Sequence, residues 1–388
     1  MTADGTSRDP VADLRRIAFL LERTLESSYR VKAFRTAAAA LAALPRADLE
    51  LLATTGGLRG IKGIGEKTAA VVEQSVAGEL PAYLADLEAG AGQPLAEGDA
   101  GATLLARLRG DLHTHSDWSD GGSPVEEMAR TARDLGHEYT ALTDHSPRLT
   151  VANGLTPDRL RRQLDVVAAL NDELAAGPVG AGRADGAAGP GRADGAGFRL
   201  LTGIEVDILS DGALDQTDEL LGVLDVVVAS VHSELRMPAD AMTRRMLAAV
   251  ENPHTDVLGH CTGRYVIERR FANDKLTGRT RSGKARPESQ FDAERVFAAC
   301  AERGVAVEIN SRPERLDPPL RLLRLAVAAG CLFAVDTDAH APGQLDWQAL
   351  GCARAEAAGV DPASVVTTWP LADLLAWTAD HGHRPAGA

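Results

Sequence analysis

The sequence predicts a parallel α/β domain preceded by a small all-α domain, on three observations. Residues 11–88 carry helical periodicity broken by short turns. From Leu104 onward, short apolar segments alternate with amphipathic ones, the pattern of a parallel sheet or barrel. Five of those apolar segments end on a histidine, an aspartate or a glutamate.

Length and composition agree with two folded units. A chain of 388 residues exceeds one small core and suits two domains, or one barrel with an appendage. With 45% hydrophobic and 25% charged residues it has the balance of a folded protein. No apolar run reaches the ~18 residues of a membrane span, so no membrane partner is expected. "MTADGTSRDPVADLRR" lacks the basic and apolar regions of a secretory signal, so the expected location is the cytoplasm. Cys261, Cys300, Cys331 and Cys352 show no C-x-x-C pairing, which argues against a disulfide framework or a thiolate zinc site. A formal net charge of −14 repels polyanions at long range, so any nucleic-acid contact requires a local patch.

In chain order, "VADLRRIAFLLERTL" places apolar residues at helical spacing, and "AFRTAAAALAAL" is rich in the strongest helix former. "IKGIGEKTAAVV" (61–72) has Gly63 and Gly65 one apart with an apolar residue between them, then a helix. Such glycines let backbone N–H groups at a helix start approach a phosphate, and Lys62 and Lys67 add charge. The segment "AGAGQPLAEGDAGAT" loses periodicity, so a linker is drawn over 89–108, between a domain at 1–88 and one at 109–388. Residues 175–197 contain "GRADGA" twice and offer no apolar face, the pattern of a flexible insertion. Residues 264–288 concentrate arginine and lysine just after His260, either a basic track for a nucleic-acid backbone or a solvated loop.

The chemistry concentrates at the strand ends. "GDLHTHSDWSDGG" (110–122) brings His113, His115 and Asp120 close together. "YTALTDH" ends at His145, "LLTGIE" at Glu205, "VVVASVH" at His232, "DVLGH" at His260, and "LFAVDTDAH" at Asp338 and His340. Carboxyl ends of parallel strands converge on one face, so six of the ten histidines gather there with carboxylates. A lone histidine after a strand is usually a structural residue, but five coincident strand ends need a common cause. Burying so many imidazoles and carboxylates without a cation is costly. Nitrogen and carboxylate donors without thiolate suit Zn²⁺, Mn²⁺ or Fe²⁺, and the donors outnumber what one ion uses, so two or three ions are expected. Clustered ions favour phosphate-ester hydrolysis, because they lower the pKa of water and screen phosphoryl charge. A redox site is the alternative.

"DLHTHSDWSDG", "TDHS", "GIEVD", "SVH", "GH" and "DTDAH", in this order, resemble the motifs of the PHP (polymerase and histidinol phosphatase) superfamily. The resemblance spans roughly residues 109–345 and implies a distorted (βα)7 barrel with a trinuclear site. It places His113, His115, Glu205 and Asp338 on one metal. Glu205 would bridge to a second held by His232 and His260, and Asp120, His145 and His340 would hold the third. "TDHSPRLTVANGL", "GHCTGR" and "VEINSRPERLD" resemble the branch attached to bacterial family X DNA polymerases. "YRVKAFRTAAAALAALP", the 61–72 hairpin and "GELPAYLADLE" resemble the N-terminal helix-hairpin-helix domain of that family. Val71 stands where lyase-active relatives carry a Schiff-base lysine, so no lyase activity is expected. No polymerising core fits between that domain and Gly110.

Arg264 and Arg315 are the candidate catalytic residues, as phosphate clamps beside Asn310 and Arg312; surface salt bridges are the alternative. Trp118 would stack on a base or pack on the barrel rim. The expected function is DNA-tethered, metal-dependent phosphoester hydrolysis: 3′ to 5′ trimming, 3′-phosphate removal or abasic-site incision. One alternative is a small-molecule phosphatase of the histidinol phosphatase type, with the N-terminal helices as an interaction module. The other is a DNA-binding module whose metals are structural.

Overall fold

A computed structural model of the chain describes residues 8–176, 197–266 and 285–380. Most of the expected insertion at 175–197, and the basic stretch beyond Val266 up to residue 284, lie outside the described residues. The chain divides into two compact units, one up to Pro94 and the other from Leu95 onward.

The first unit consists of α1 (Pro10–Arg23), α2 (Ser28–Ala42), α3 (Arg46–Thr55), α4 (Glu66–Val76) and α5 (Ala82–Ala91). Asp9 caps α1 by accepting from Val11 N at 2.9 Å. Leu14, Ile17 and Leu21, spaced by three and four, bury one face of α1 in a core shared with Phe34, Ala37 and Leu41 of α2 and Val72 of α4. Full burial of such leucine and isoleucine side chains contributes roughly 1.5–3 kcal/mol each.

The second unit is built on seven parallel strands: β1 (Gly110–Thr114), β2 (Tyr139–Leu142), β3 (Arg199–Asp207), β4 (Val226–Ser230), β5 (Val257–Leu258), β6 (Ala306–Asn310) and β7 (Leu332–Asp336). They lie in sequence order. A parallel bridge from Thr114 to Ala339 sets the end of β1 beside the residues after β7, giving the nearly closed (βα)7 barrel that the resemblance implied. Between and around the strands run α6 (Ala102–Leu105), α7 (Val125–Asp134), α8 (Pro157–Ala176), α9 (Asp218–Leu221), α10 (Ala239–Glu251), α11 (Ala293–Arg303), α12 (Leu320–Ala328), α13 (Gln348–Ala358) and α14 (Leu371–Ala379).

The linker drawn at 89–108 is shorter in the structure. The last turn of α5 reaches Ala91, while Leu104 and Leu108 are buried in the main core of the barrel unit. The apolar spacing of "TLLARL" was too brief to register as a helix.

Strand alternation explains how the barrel builds its site. Ile204, Val206, Val227, Ala229, Val307, Ile309, Phe333 and Val335 belong to one core, shared with apolar residues of the surrounding helices. The alternate residues change character along the strands. Leu201, Val226, Val228, Ala306 and Ala334 form an apolar plug with Val366 and Leu374. Further along the same faces stand Glu205, Asp207, His232, Glu308, Asn310 and Asp338. Apolar and polar residues thus occupy opposite ends of the same strand faces.

Gly110, at the start of β1, has no room for a side chain: a Cβ there would lie 2.2 Å from the Tyr139 ring and 2.4 Å from its carbonyl oxygen. Gly110→Ala should therefore destabilise the chain by about 1–3 kcal/mol by overpacking. Gly60→Ala, where a Cβ meets nothing within 4 Å, should change stability by under ~1 kcal/mol. Chemical denaturation midpoints of the two variants test this, and equal midpoints would contradict it.

Candidate metal centre

All nine side chains singled out as ligands arrive at the carboxyl-terminal mouth of the barrel. His113 lies on β1 and His115 just beyond it, while Asp120 follows in the next turn. His145, His232 and His260 stand two or three residues past β2, β4 and β5, and Glu205 lies within β3. Asp338 and His340 follow β7. Asp338 has φ +53°, a left-handed conformation that costs energy for a non-glycine residue and is typical of functional sites.

Glu205 is the centre of the arrangement. Its Oε2 lies 3.3 Å from His113 Nε2, 3.5 Å from His115 Nε2 and 2.9 Å from His145 Nδ1. Its Oε1 lies 3.2 Å from His232 Nε2 and 2.8 Å from His260 Nε2. Asp338 Oδ1 is 3.5 Å from His115 Nε2. Asp120 Oδ1 is 3.4 Å from His145 Nε2 and 3.3 Å from His340 Nε2. Potential ligand atoms fall into four groups within 4.8 Å: His115, Asp120, His145 and His340; His113, Glu205 and His260; His113, His115 and Asp338; and His145, Glu205 and His232. The two oxygens of Glu205 thus face different histidines, as a bridging carboxylate must. His115 joins the group of Asp120, His145 and His340, a membership that the sequence reading did not assign.

These residues fit divalent cations. His113 Nε2, His232 Nε2, both ring nitrogens of His115 and of His260, and both oxygens of Glu205 are buried without hydrogen-bond geometry to any partner among the described residues. Leaving that many polar atoms unpaired would cost about 1–3 kcal/mol each. Nitrogen and oxygen donors free of thiolate match zinc, manganese or iron.

The electrostatics follow from the same packing. Burial pushes the Glu205 carboxyl up, but His232, His113, His145 and His260 around it outweigh burial and hold it well below the usual range. Burial lowers His113, yet Glu205 and Glu308 on either side raise it well above the ordinary value. His232 is likewise raised to about 9 against burial, chiefly by Glu205 and Asp207. His115 is pushed down to about 3 by burial and by the neighbouring His340 and His145.

Several functional partners escaped the sequence reading. His113 Nδ1 donates to Glu308 Oε1 at 2.6 Å, and His232 Nδ1 donates to Asp207 Oδ1 at 2.6 Å. Each bond puts the proton on Nδ1 and leaves Nε2 to ligate. His340 Nδ1 lies 2.8 Å from Asp338 O and 3.0 Å from the Arg312 Nη1 donor, so its surroundings hold the ring in place without selecting one tautomer. Asp144 accepts from Ser116 N, Ser116 Oγ and Gln163 Nε2 at 2.6–2.8 Å, fixing the turn between His115 and Asp120. The signal was present in part: Asp207 lies two residues beyond Glu205 and therefore on the same strand face.

The two candidate arginines differ in their contacts. Arg315 Nε lies 2.9 Å from Asp338 Oδ2, and its Nη1 is buried without a partner among the described residues. Arg315 and then Arg312 overcome burial to hold the Asp338 carboxyl well below its usual range. Arg264 donates from Nε to Arg315 O at 2.9 Å and from Nη2 to Leu316 O, bracing the loop that carries Arg315. Trp118 is half-buried and packs against two apolar clusters of the barrel.

In the helical unit, Lys62, Gly63, Gly65 and Lys67 are all exposed, around a buried Ile64. Gly63 has φ +97°, and a Cβ there would approach Thr36 Cγ2 to 2.7 Å. Ile64 N donates to Ile61 O at 3.1 Å to close the turn. Gly65, the N-cap of α4, donates to Thr68 Oγ1 at 2.9 Å. Lys67 Nζ lies 5.8 Å from the centroid of the Tyr83 ring. Val71 is 2% exposed, inside the core of the unit.

Residues 7–79 match a helix-hairpin-helix domain, and residues 111–312, more than half of the chain, match the PHP domain. The DNA polymerase/3'-5' exonuclease PolX of Bacillus subtilis is 34% identical over 273 residues, 70% of this chain and 41% of that protein. The chain thus spans about two fifths of that relative's length. A protein of Thermoanaerobacter sp. described as a probable phosphatase is 26% identical over 59% of this chain and 78% of its own length. A crystal structure of histidinol phosphate phosphatase from Lactococcus lactis, complexed with zinc, L-histidinol and phosphate, shares 16% identity. It covers 66% of this chain and 95% of that one at a TM-score of 0.40, too distant to carry weight. With its ordered strand-end motifs on a seven-stranded parallel barrel, the chain belongs to the PHP domain family and joins that domain to an N-terminal helix-hairpin-helix domain.

Proposed function

We propose that this phosphoester hydrolase acts on DNA, by trimming 3′ ends, removing 3′ phosphates or incising beside abasic sites, with the helical unit as its tether. The observation that carries the reading is the presence in one chain of a helix-hairpin-helix domain exposing Lys62 and Lys67 and a nine-residue cluster at a barrel mouth. Polymerisation is not part of it, since only the short segment between α5 and β1 separates the two domains.

Two or three divalent ions would be held by His113, His115, Asp120, His145, Glu205, His232, His260, Asp338 and His340. When bound, they supply the Lewis acidity that lowers the pKa of water and screens phosphoryl charge. The chain's own groups supply orientation. Arg315, anchored on Asp338 and braced by Arg264, has a buried Nη1 to donate to a phosphoryl oxygen. Asp144 keeps the turn of Asp120 in place. Gly63 and the two lysines would hold the phosphate backbone.

A second reading, hydrolysis of a small phosphoester with the helical unit as an interaction module, is favoured by the net charge of −14 and by the similarity to probable phosphatases.

Incubated with Mn²⁺ and end-labelled DNA bearing a single-stranded 3′ extension, the protein should shorten the strand. His115→Ala should lower that rate by more than about 100-fold, beyond the usual effect of losing a ligand's outer-shell partner. Intact DNA beside turnover of a small phosphomonoester would favour the second reading instead. The double variant Lys62→Glu, Lys67→Glu should weaken DNA binding and flatten the plot of log affinity against log salt by about 1–2, as expected when two phosphate contacts are lost. An unchanged slope in fluorescence anisotropy would count against the tether.

A further inference from the structure

Behind the cluster, on β6, Glu308 is fully buried and serves two ligand histidines at once. Its Oε1 accepts the His113 Nδ1 proton at 2.6 Å. Its Oε2 accepts the backbone N–H of His260, together with Asn310 Nδ2 at 3.3 Å. The same Asn310 Nδ2 lies 3.2 Å from Asp338 Oδ2. His113 comes from β1, His260 follows β5 and Asp338 follows β7, so this one carboxylate connects ligands from three parts of the barrel.

We infer that Glu308 is a positioning residue that sets His113 and His260 together for the one cation that their group with Glu205 would share. The inference rests on the reading that the cluster holds divalent ions, and it assigns Glu308 no ligand role. With its proton held on Nδ1, His113 has only Nε2 left to ligate, and that atom lies 3.3 Å from Glu205 Oε2. A His113 ring polarised by an ion on Nε2 donates more strongly to Glu308 and restrains it. The restrained carboxylate then fixes the backbone of His260.

Glu308→Gln tests this with almost no change of shape. An amide NH₂ must then face either His113 Nδ1 or the His260 N–H, opposing donor to donor at one of them. Mn²⁺ titrations of metal-stripped protein, followed by calorimetry and electron paramagnetic resonance, should show uptake by the wild type. In Glu308→Gln, affinity should fall about 10–100-fold. Glu294→Gln, an exposed change on α11, should match the wild type. A wild type that takes up no Mn²⁺ would sink the metal reading itself. Normal uptake by the wild type with an unchanged isotherm in Glu308→Gln would overturn only the positioning role of Glu308. Should that variant fail to fold, ¹⁵N-histidine spectra of the zinc-loaded wild type decide: a strongly downfield Nδ1 proton on His113 supports the role, and a proton on Nε2 overturns it.

Discussion

The site depends on one carboxylate that cannot relax. Glu205 is buried in the third strand with an imidazole nitrogen from five different histidines within 3.5 Å of its oxygens. An anion so placed is tolerable only among compensating positive charge, and the neighbouring imidazoles hold it ionised against the penalty of burial. Shifting β3 by one residue would turn Glu205 outward into the helices and replace it with Ile204 or Val206. The register of β3 with β4, Glu205 opposite Val228, is therefore as much a part of the site as any ligand.

Around that anion, charge is arranged in layers. Histidines surround Glu205, and carboxylates surround the histidines: Glu308 behind His113 and Asp207 behind His232. On the far side, Arg312 and Arg315 neutralise Asp338. Each layer orients the one inside it through short, directional hydrogen bonds, so rings that could each rotate or change tautomer are left with a single useful orientation.

Much of this was legible in the sequence because a parallel barrel converts chain order into spatial proximity. Apolar segments ending in His145, Glu205, His232, His260 and Asp338 needed only the rule that carboxyl ends converge, and the ordered motifs named the family. Glu308 and Asp144 were not legible as partners, and Asp207 only by its place two residues beyond Glu205, because such roles depend on distances across the barrel. A buried glutamate in "VAVEIN" reads the same whether it holds a histidine or binds an ion. Arg264 illustrates a different limit: its place after His260 put it near the mouth, but its contacts with the carbonyls of Arg315 and Leu316 emerge only from the folded loop. The helix at Ala102–Leu105 was missed because four residues carry too little periodicity.

The strand faces that begin as the plug of Leu201, Val226, Val228, Ala306 and Ala334 end as the polar mouth. Cohesion and reactivity therefore occupy opposite ends of the same short strands, separated by two to four residues. Evolution can revise the loops that frame the mouth, and with them the substrate, while the plug goes on closing the barrel. The same separation lets an investigator alter the mouth without first having to repair how the protein folds.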